Sequence, residues 1–163
     1  MELVRDVARV LLLSEQNEIL LLAGSDPTQP AKGHWWFTPG GGLEDSESFH
    51  QAAARELFEE TGFHAQVSGE PLWERVASFE FMGQLYRQRE FFFTLRAHRF
   101  EPAPALLTEV EQQSFLRFKW WSFAEPSQTS ETVYPVDLAE RFDQILNHDG
   151  LTTTVLPEQR ISG

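Results

Sequence analysis

An α/β domain is the fold class this sequence predicts, and three observations lead to it. Short apolar runs of strand type lie on both sides of one long helical stretch at residues 46–61. A second amphipathic segment, Val136–Asn147, reads as a helix near the end of the chain, with Leu138, Phe142, Ile145 and Leu146 on one side. The 163 residues suffice for one sizeable core, and no linker or repeat divides them. The expected organisation is one domain over residues 1–150, followed by a tail at 151–163.

Asp6–Leu13 and Glu18–Ala23 read as apolar strands joined by a turn at Glu15-Gln16-Asn17. Asp26–Lys32 carries two prolines and reads as a loop. Trp35 and Trp36 point to opposite faces if their segment is a strand, so at most one is expected to face a ligand and the other the core. Gln66–Phe81 and Leu85–Arg99 look like two long strands around Met82-Gly83-Gln84. Phe91-Phe92-Phe93 breaks simple alternation, which suggests a strand covered on both faces. Phe115–Ser122 supplies another strand, and Ser127–Pro135 a loop that would lie over a pocket with Tyr134.

The central helix carries the chemistry. Asp45 and Ser46 are good helix starters, Glu47 favours the positive N-terminal end, and Gly62 is a natural stop. Within it Glu56, Glu59 and Glu60 stand at i, i+3 and i+4, which puts three carboxylates on one face. Like charges at that spacing cost a few tenths of a kcal/mol per pair, and a bound hard cation reverses the sign. Oxygen donors of this kind suit Mg²⁺ or Mn²⁺. The chain has no cysteine, and the helix holds no His pair at ligand spacing, so a zinc site of nitrogen and sulfur is unsupported. Gly40-Gly41-Gly42, entering the helix, would let a ligand approach the main chain.

Gly41, Glu47, Arg55, Glu56, Leu57, Glu59, Glu60, Gly62 and Phe63 together resemble the Nudix box, G-x5-E-x7-R-E-U-x-E-E-x-G-U with U aliphatic or aromatic. Every defined position matches. With ordinary residue usage such a match arises by chance at a rate on the order of 10⁻⁷. The resemblance covers roughly residues 5–148 and implies the Nudix fold, an α/β/α sandwich around a mixed β-sheet. It implies a pyrophosphohydrolase that cleaves a nucleoside diphosphate linked to another moiety, acting with Mg²⁺ or Mn²⁺. By the same resemblance Glu56, Glu59 and Glu60 hold the metal, and a backbone carbonyl at Gly40 or Gly41 adds a ligand. Arg55 orients a catalytic Glu, with Glu47 as its salt-bridge partner. A distant Glu joins the site or activates water: Glu111 is the candidate, Glu109 the reserve and Glu90 a third.

The net charge of −12 means that long-range attraction will not deliver an anionic substrate, so metal and local basic groups must. It argues against RNA or DNA as substrate, while the resemblance implies a small nucleotide. Arg87, Arg89, Arg96 and Arg99 are expected mostly on a solvated strand face, and Lys32 is a weaker candidate for substrate contact. The apolar runs are too short to span a membrane, and the lack of cysteine fits a reducing cytoplasm. The resemblance also allows a homodimer. Secondary signatures of ADP-ribose, dinucleoside polyphosphate and coenzyme A branches are absent, with Ala77, Ser78 and Phe79 where two of them would stand. That shifts weight to (deoxy)nucleoside triphosphates. The competing readings are a non-catalytic nucleotide-sensing module and an RNA 5′-end pyrophosphohydrolase; isomerase chemistry on this fold needs a cysteine.

Overall fold

The computed structural model describes residues 1–122, 125 and 129–161, and of residues 110, 115 and 116 the backbone alone. Ser127 and Gln128 of the expected loop lie outside the described residues. Its centre is a parallel pair, β1 (Glu2–Leu13) against β6 (Gln84–Arg96). Around it run β2 (Ile19–Ser25), β3 (His34–Phe37), β4 (Gly40–Gly42), β5 (Trp73–Phe81), β7 (Phe115–Trp121) and β8 (Thr132–Val133). Most other pairings are antiparallel, so the sheet is mixed. β9 (Thr154–Val155) and β10 (Gln159–Arg160) come from the expected tail and pair with β5 in the same sheet.

The two faces of the sheet hold two cores. Ala8, Val10, Leu12 and Phe93 pack against Ala52, Ala53 and Leu57 of α1 (Phe49–Thr61). Leu11, Leu13 and Phe92 pack on the other face with Leu138 and with Phe142 and Ile145 of α3 (Phe142–Leu146). Each buried Leu or Phe contributes roughly 1.5–3 kcal/mol. Phe92 and Phe93 thus serve opposite cores, as their broken alternation predicts. No helix among the described residues is long and apolar enough to cross a membrane.

Three boundaries differ from expectation. The central helix begins at Phe49, because Ser46 has φ +64° and cannot be helical, while Ser48 accepts from Gln51 N–H and Gln51 reaches back to Ser48 N–H. The strand expected from Gln66 starts only at Trp73: Gly69 at φ +82° and Pro71 interrupt it, and Glu70 N–H bonds to Gly150 O instead. The helix expected at Val136–Asn147 is reduced to α3, with residues 136–141 in turns. The hairpin Met82–Gly83 is a two-residue turn with both φ positive (50° and 77°), which matches the twist of its strands.

Candidate active site

Glu56, Glu60 and Glu111 each bring a carboxylate oxygen to within 4.8 Å of the others. Two features of the chain allow it. Gly41 has no Cβ where the Glu56 carboxylate lies: a Cβ there would stand 2.4 Å from Oε1. Gly40 N–H donates to Glu60 Oε1 at 2.8 Å, which ties the helix to β4. Glu111 arrives from α2 (Glu109–Ser114), whose start is fixed by Thr108 N–H donating to Glu111 Oε1 and Glu111 N–H donating to Thr108 Oγ1.

Arg55 organises the outer side. Its Nε and Nη2 bond to Glu47 at 2.7 and 2.9 Å, and Nη2 also reaches Gly42 O. Its Nη1 is shared between Glu56 at 3.0 Å and Glu59 at 3.2 Å. Glu59 therefore stands one guanidinium away from the group of three. Glu109 is exposed and not in that group, and Glu90 is buried in an ion pair with Arg9 and Arg75.

Burial, and then Glu111, raise the Glu56 carboxyl to about 6 against the pull of Arg55. Burial, Glu56 and Glu111 push Glu60 well above its usual range. Arg55, by contrast, holds Glu47 below its ordinary value. Three converging carboxylates, two of them resisting ionisation, form a donor set that a hard divalent cation fits: all-oxygen and strongly anionic once charged.

The cluster opens into a cavity of about 610 Å³. Trp35, Phe79, Phe81, Tyr86 and Tyr134 supply aromatic lining, and Arg5, Arg9, Lys32 and Arg75 supply cations. Trp36 is the buried member of the tryptophan pair. Arg87, Arg89, Arg96 and Arg99 do not line the cavity; they bond at the surface to Glu158, Asp6, Asn17 and Glu18. Sequence reasoning did not single out Arg5, Arg9, Arg75 or Gln88. Arg5 and Arg9 share one face of β1 by strand periodicity, but the register that brings Arg75 and Glu90 opposite each other has no local signature.

The NUDIX domain model matches residues 3–141. The 8-oxo-dGDP phosphatase NUDT18 of Homo sapiens is 29% identical over 157 residues, 93% of this chain and 43% of that protein. The chain therefore spans less than half the length of this relative. The RNA pyrophosphohydrolase of Novosphingobium aromaticivorans is 30% identical over 141 residues, covering 80% of this chain and 83% of its own. Among solved structures, the MutT protein of Methanosarcina mazei Go1 superposes with a TM-score of 0.65 at 22% identity, over 90% of this chain and 97% of that one. At that identity the likeness speaks for the fold.

Proposed function

The chain belongs to the NUDIX domain family, and from that premise we propose that it is a metal-dependent pyrophosphohydrolase of a small nucleotide, a (deoxy)nucleoside triphosphate in the first instance. The observation that carries this reading is the convergence of Glu56, Glu60 and Glu111 on the wall of an aromatic, cation-bearing cavity. Mg²⁺ or Mn²⁺ at these carboxylates, with Glu59 and the backbone at Gly41 as further donors, would supply Lewis acidity toward phosphate oxygens. The remaining work falls to the chain. Glu56, fixed by Arg55, takes the proton of the attacking water, and Glu111 is the second candidate for that task. Arg55 is itself held by Glu47 and Gly42 O, so it gives the Glu56 carboxylate a fixed partner. Water attack on phosphorus then releases a nucleoside monophosphate and a second phosphorylated fragment.

Two curated relatives point to different substrates, an oxidised deoxynucleotide and an RNA 5′ end. The RNA reading is favoured by the broader two-way coverage of that relative, and opposed by the net charge of −12. A non-catalytic sensing module is the remaining alternative, disfavoured because all box carboxylates are present. The deciding experiment is nucleotide and phosphate release with Mg²⁺ or Mn²⁺. Ordinary and oxidised (d)NTPs and dNDPs, ADP-ribose, dinucleoside polyphosphates and triphosphorylated RNA form the panel, with Glu60→Gln protein as control. Turnover lost in the control supports the hydrolase. Tight nucleotide binding without turnover on any compound would move the assignment to the sensing module.

A further inference from the structure

Four cations line the cavity, and they are not equivalent. Arg9 and Arg75 both bond to Glu90, at 3.1 and 2.7 Å, and are committed to that buried carboxylate. Lys32 is half-buried at the end of a short 3₁₀ turn, where its charge acts on the Asp26 carboxylate. Arg5 is not tied to Glu90 as Arg9 and Arg75 are, and unlike Lys32 it is pinned by its neighbours. Its Nε donates to the neutral Gln88 Oε1 at 2.9 Å, and its guanidinium carbon lies 4.9 Å over the Tyr86 ring. Among the described residues no carboxylate stands within ion-pair distance of it. Glu56 and Glu90 act on its charge only from beyond contact, and a half-buried guanidinium without a contact ion pair is a cost to the folded state that a bound anion would offset.

Its placement says what that anion is. Arg5 Nη1 lies 3.6 Å from where a Cβ on Gly42 would stand, and the preceding Gly41 is the residue crowded by Glu56. Arg5 thus packs against β4 one residue from Gly41, and Arg5 and the carboxylate cluster line the same cavity. Gln88 is in turn held by its own bond to Glu90 at 2.9 Å, so the Arg5 side chain is pinned at Nε and over Tyr86, and among the described residues no hydrogen bond engages its Nη donors. A pre-ordered planar fork of donors suits phosphate oxygens.

We infer that Arg5 is the specificity-determining cation that grips the phosphate chain of the substrate, while Arg9 and Arg75 build the cavity wall around Glu90; this rests on the pyrophosphohydrolase reading.

The test uses the full chain in Mg²⁺ and two probes: imidodiphosphate, a non-hydrolysable pyrophosphate analogue, and a nucleoside without phosphate. Calorimetric titration should show Arg5→Gln binding imidodiphosphate roughly 10- to 100-fold more weakly. Arg5→Lys should recover part of the loss, and nucleoside and Mn²⁺ binding should stay as in the unaltered protein. In turnover the loss should fall mainly on KM. Unchanged imidodiphosphate affinity in Arg5→Gln, no imidodiphosphate binding by the unaltered protein, or a loss confined to the nucleoside would each overturn the inference. If the unaltered protein hydrolyses no nucleotide but its imidodiphosphate affinity depends on Arg5, the phosphate contact stands and the hydrolase reading falls. If nucleotide is hydrolysed and neither turnover nor imidodiphosphate binding responds to Arg5, the hydrolase reading stands and the phosphate contact falls.

Discussion

Glu60 Oε1 accepts the backbone N–H of Gly40 at 2.8 Å, and this bond joins β4 to the last turn of α1. It makes Glu60 both a structural acceptor and a member of the carboxylate cluster. Glutamine keeps the acceptor and removes the charge. Glu60→Gln protein should fold with an equal or higher melting temperature without metal, because one of three mutually repelling carboxylates is gone. Its Mn²⁺ affinity should fall, and kcat should drop roughly 10²- to 10³-fold. Spin-resonance titration of Mn²⁺ and steady-state rates check this, and near-normal rates would remove Glu60 from the site.

Adjacent glycines should behave differently. The three atoms nearest a Cβ on Gly41 all belong to the end of the Glu56 side chain, which can shift at the cost of its bond to Arg55. Gly41→Ala is therefore expected to fold but to displace a carboxylate, with turnover down roughly 10²-fold. A Cβ on Gly40 would stand 2.2 Å from Ala8 O and 2.8 Å from Arg9 Cα, at φ +151°. That backbone cannot yield without parting β4 from β1, so Gly40→Ala should lose soluble, cooperatively melting protein. Equal stability of the two variants, read by circular dichroism, would contradict the packing at β4.

The Arg9–Glu90–Arg75 group is a stability element. Glu90 is buried, and although burial opposes its charge, Arg9 and Arg75 hold its carboxyl below the usual range. Glu90→Ala leaves two guanidiniums without their shared counter-ion, and among the described residues Arg75 keeps Gln159 and the Phe92 ring. Loss of one member of a buried pair costs about 3–5 kcal/mol, and urea unfolding should show a loss of that size. A change under about 1 kcal/mol would mean that the group is solvated and contributes little.

What could be read from the chain beforehand divides along a physical line. The spacing of Glu56, Glu59 and Glu60 is a local property of one helix, and so are the apolar runs of β1, β2 and β6. Glu111 could be nominated only through a family resemblance, because α2 is brought to Glu56 by tertiary packing. Arg9 and Glu90 are 81 residues apart and meet only through the register of β1 on β6. The overlong strand before Trp73 and the overlong final helix share another cause. Val67, Leu72 and Leu138 are buried while in turns or irregular backbone, so apolar periodicity marked burial there without marking regular structure.

Protonation of Glu56 gives a prediction in pH. Burial comes first among the influences on its carboxyl, Arg55 opposes it, and Glu111 adds to it, raising it from 4.5 to about 6. The metal-free folded state thus binds this proton more tightly than the unfolded chain does. The stability this contributes is fully present below about pH 4.5 and is lost as pH rises through about 6. At roughly 1.4 kcal/mol per tenfold change in proton affinity, the loss from Glu56 is about 2 kcal/mol. Glu60 is shifted in the same direction and carries the decline to higher pH. A divalent cation competes for the ionised forms, so the gain in melting temperature on adding Mg²⁺ should grow from pH 5 to pH 7. In Glu56→Gln protein the metal-free decline should be shallower. Urea unfolding across that range, with chelator and with Mg²⁺, measures both. Metal-free stability that climbs from pH 5 to 7 would show that these carboxylates are not held in the environment described.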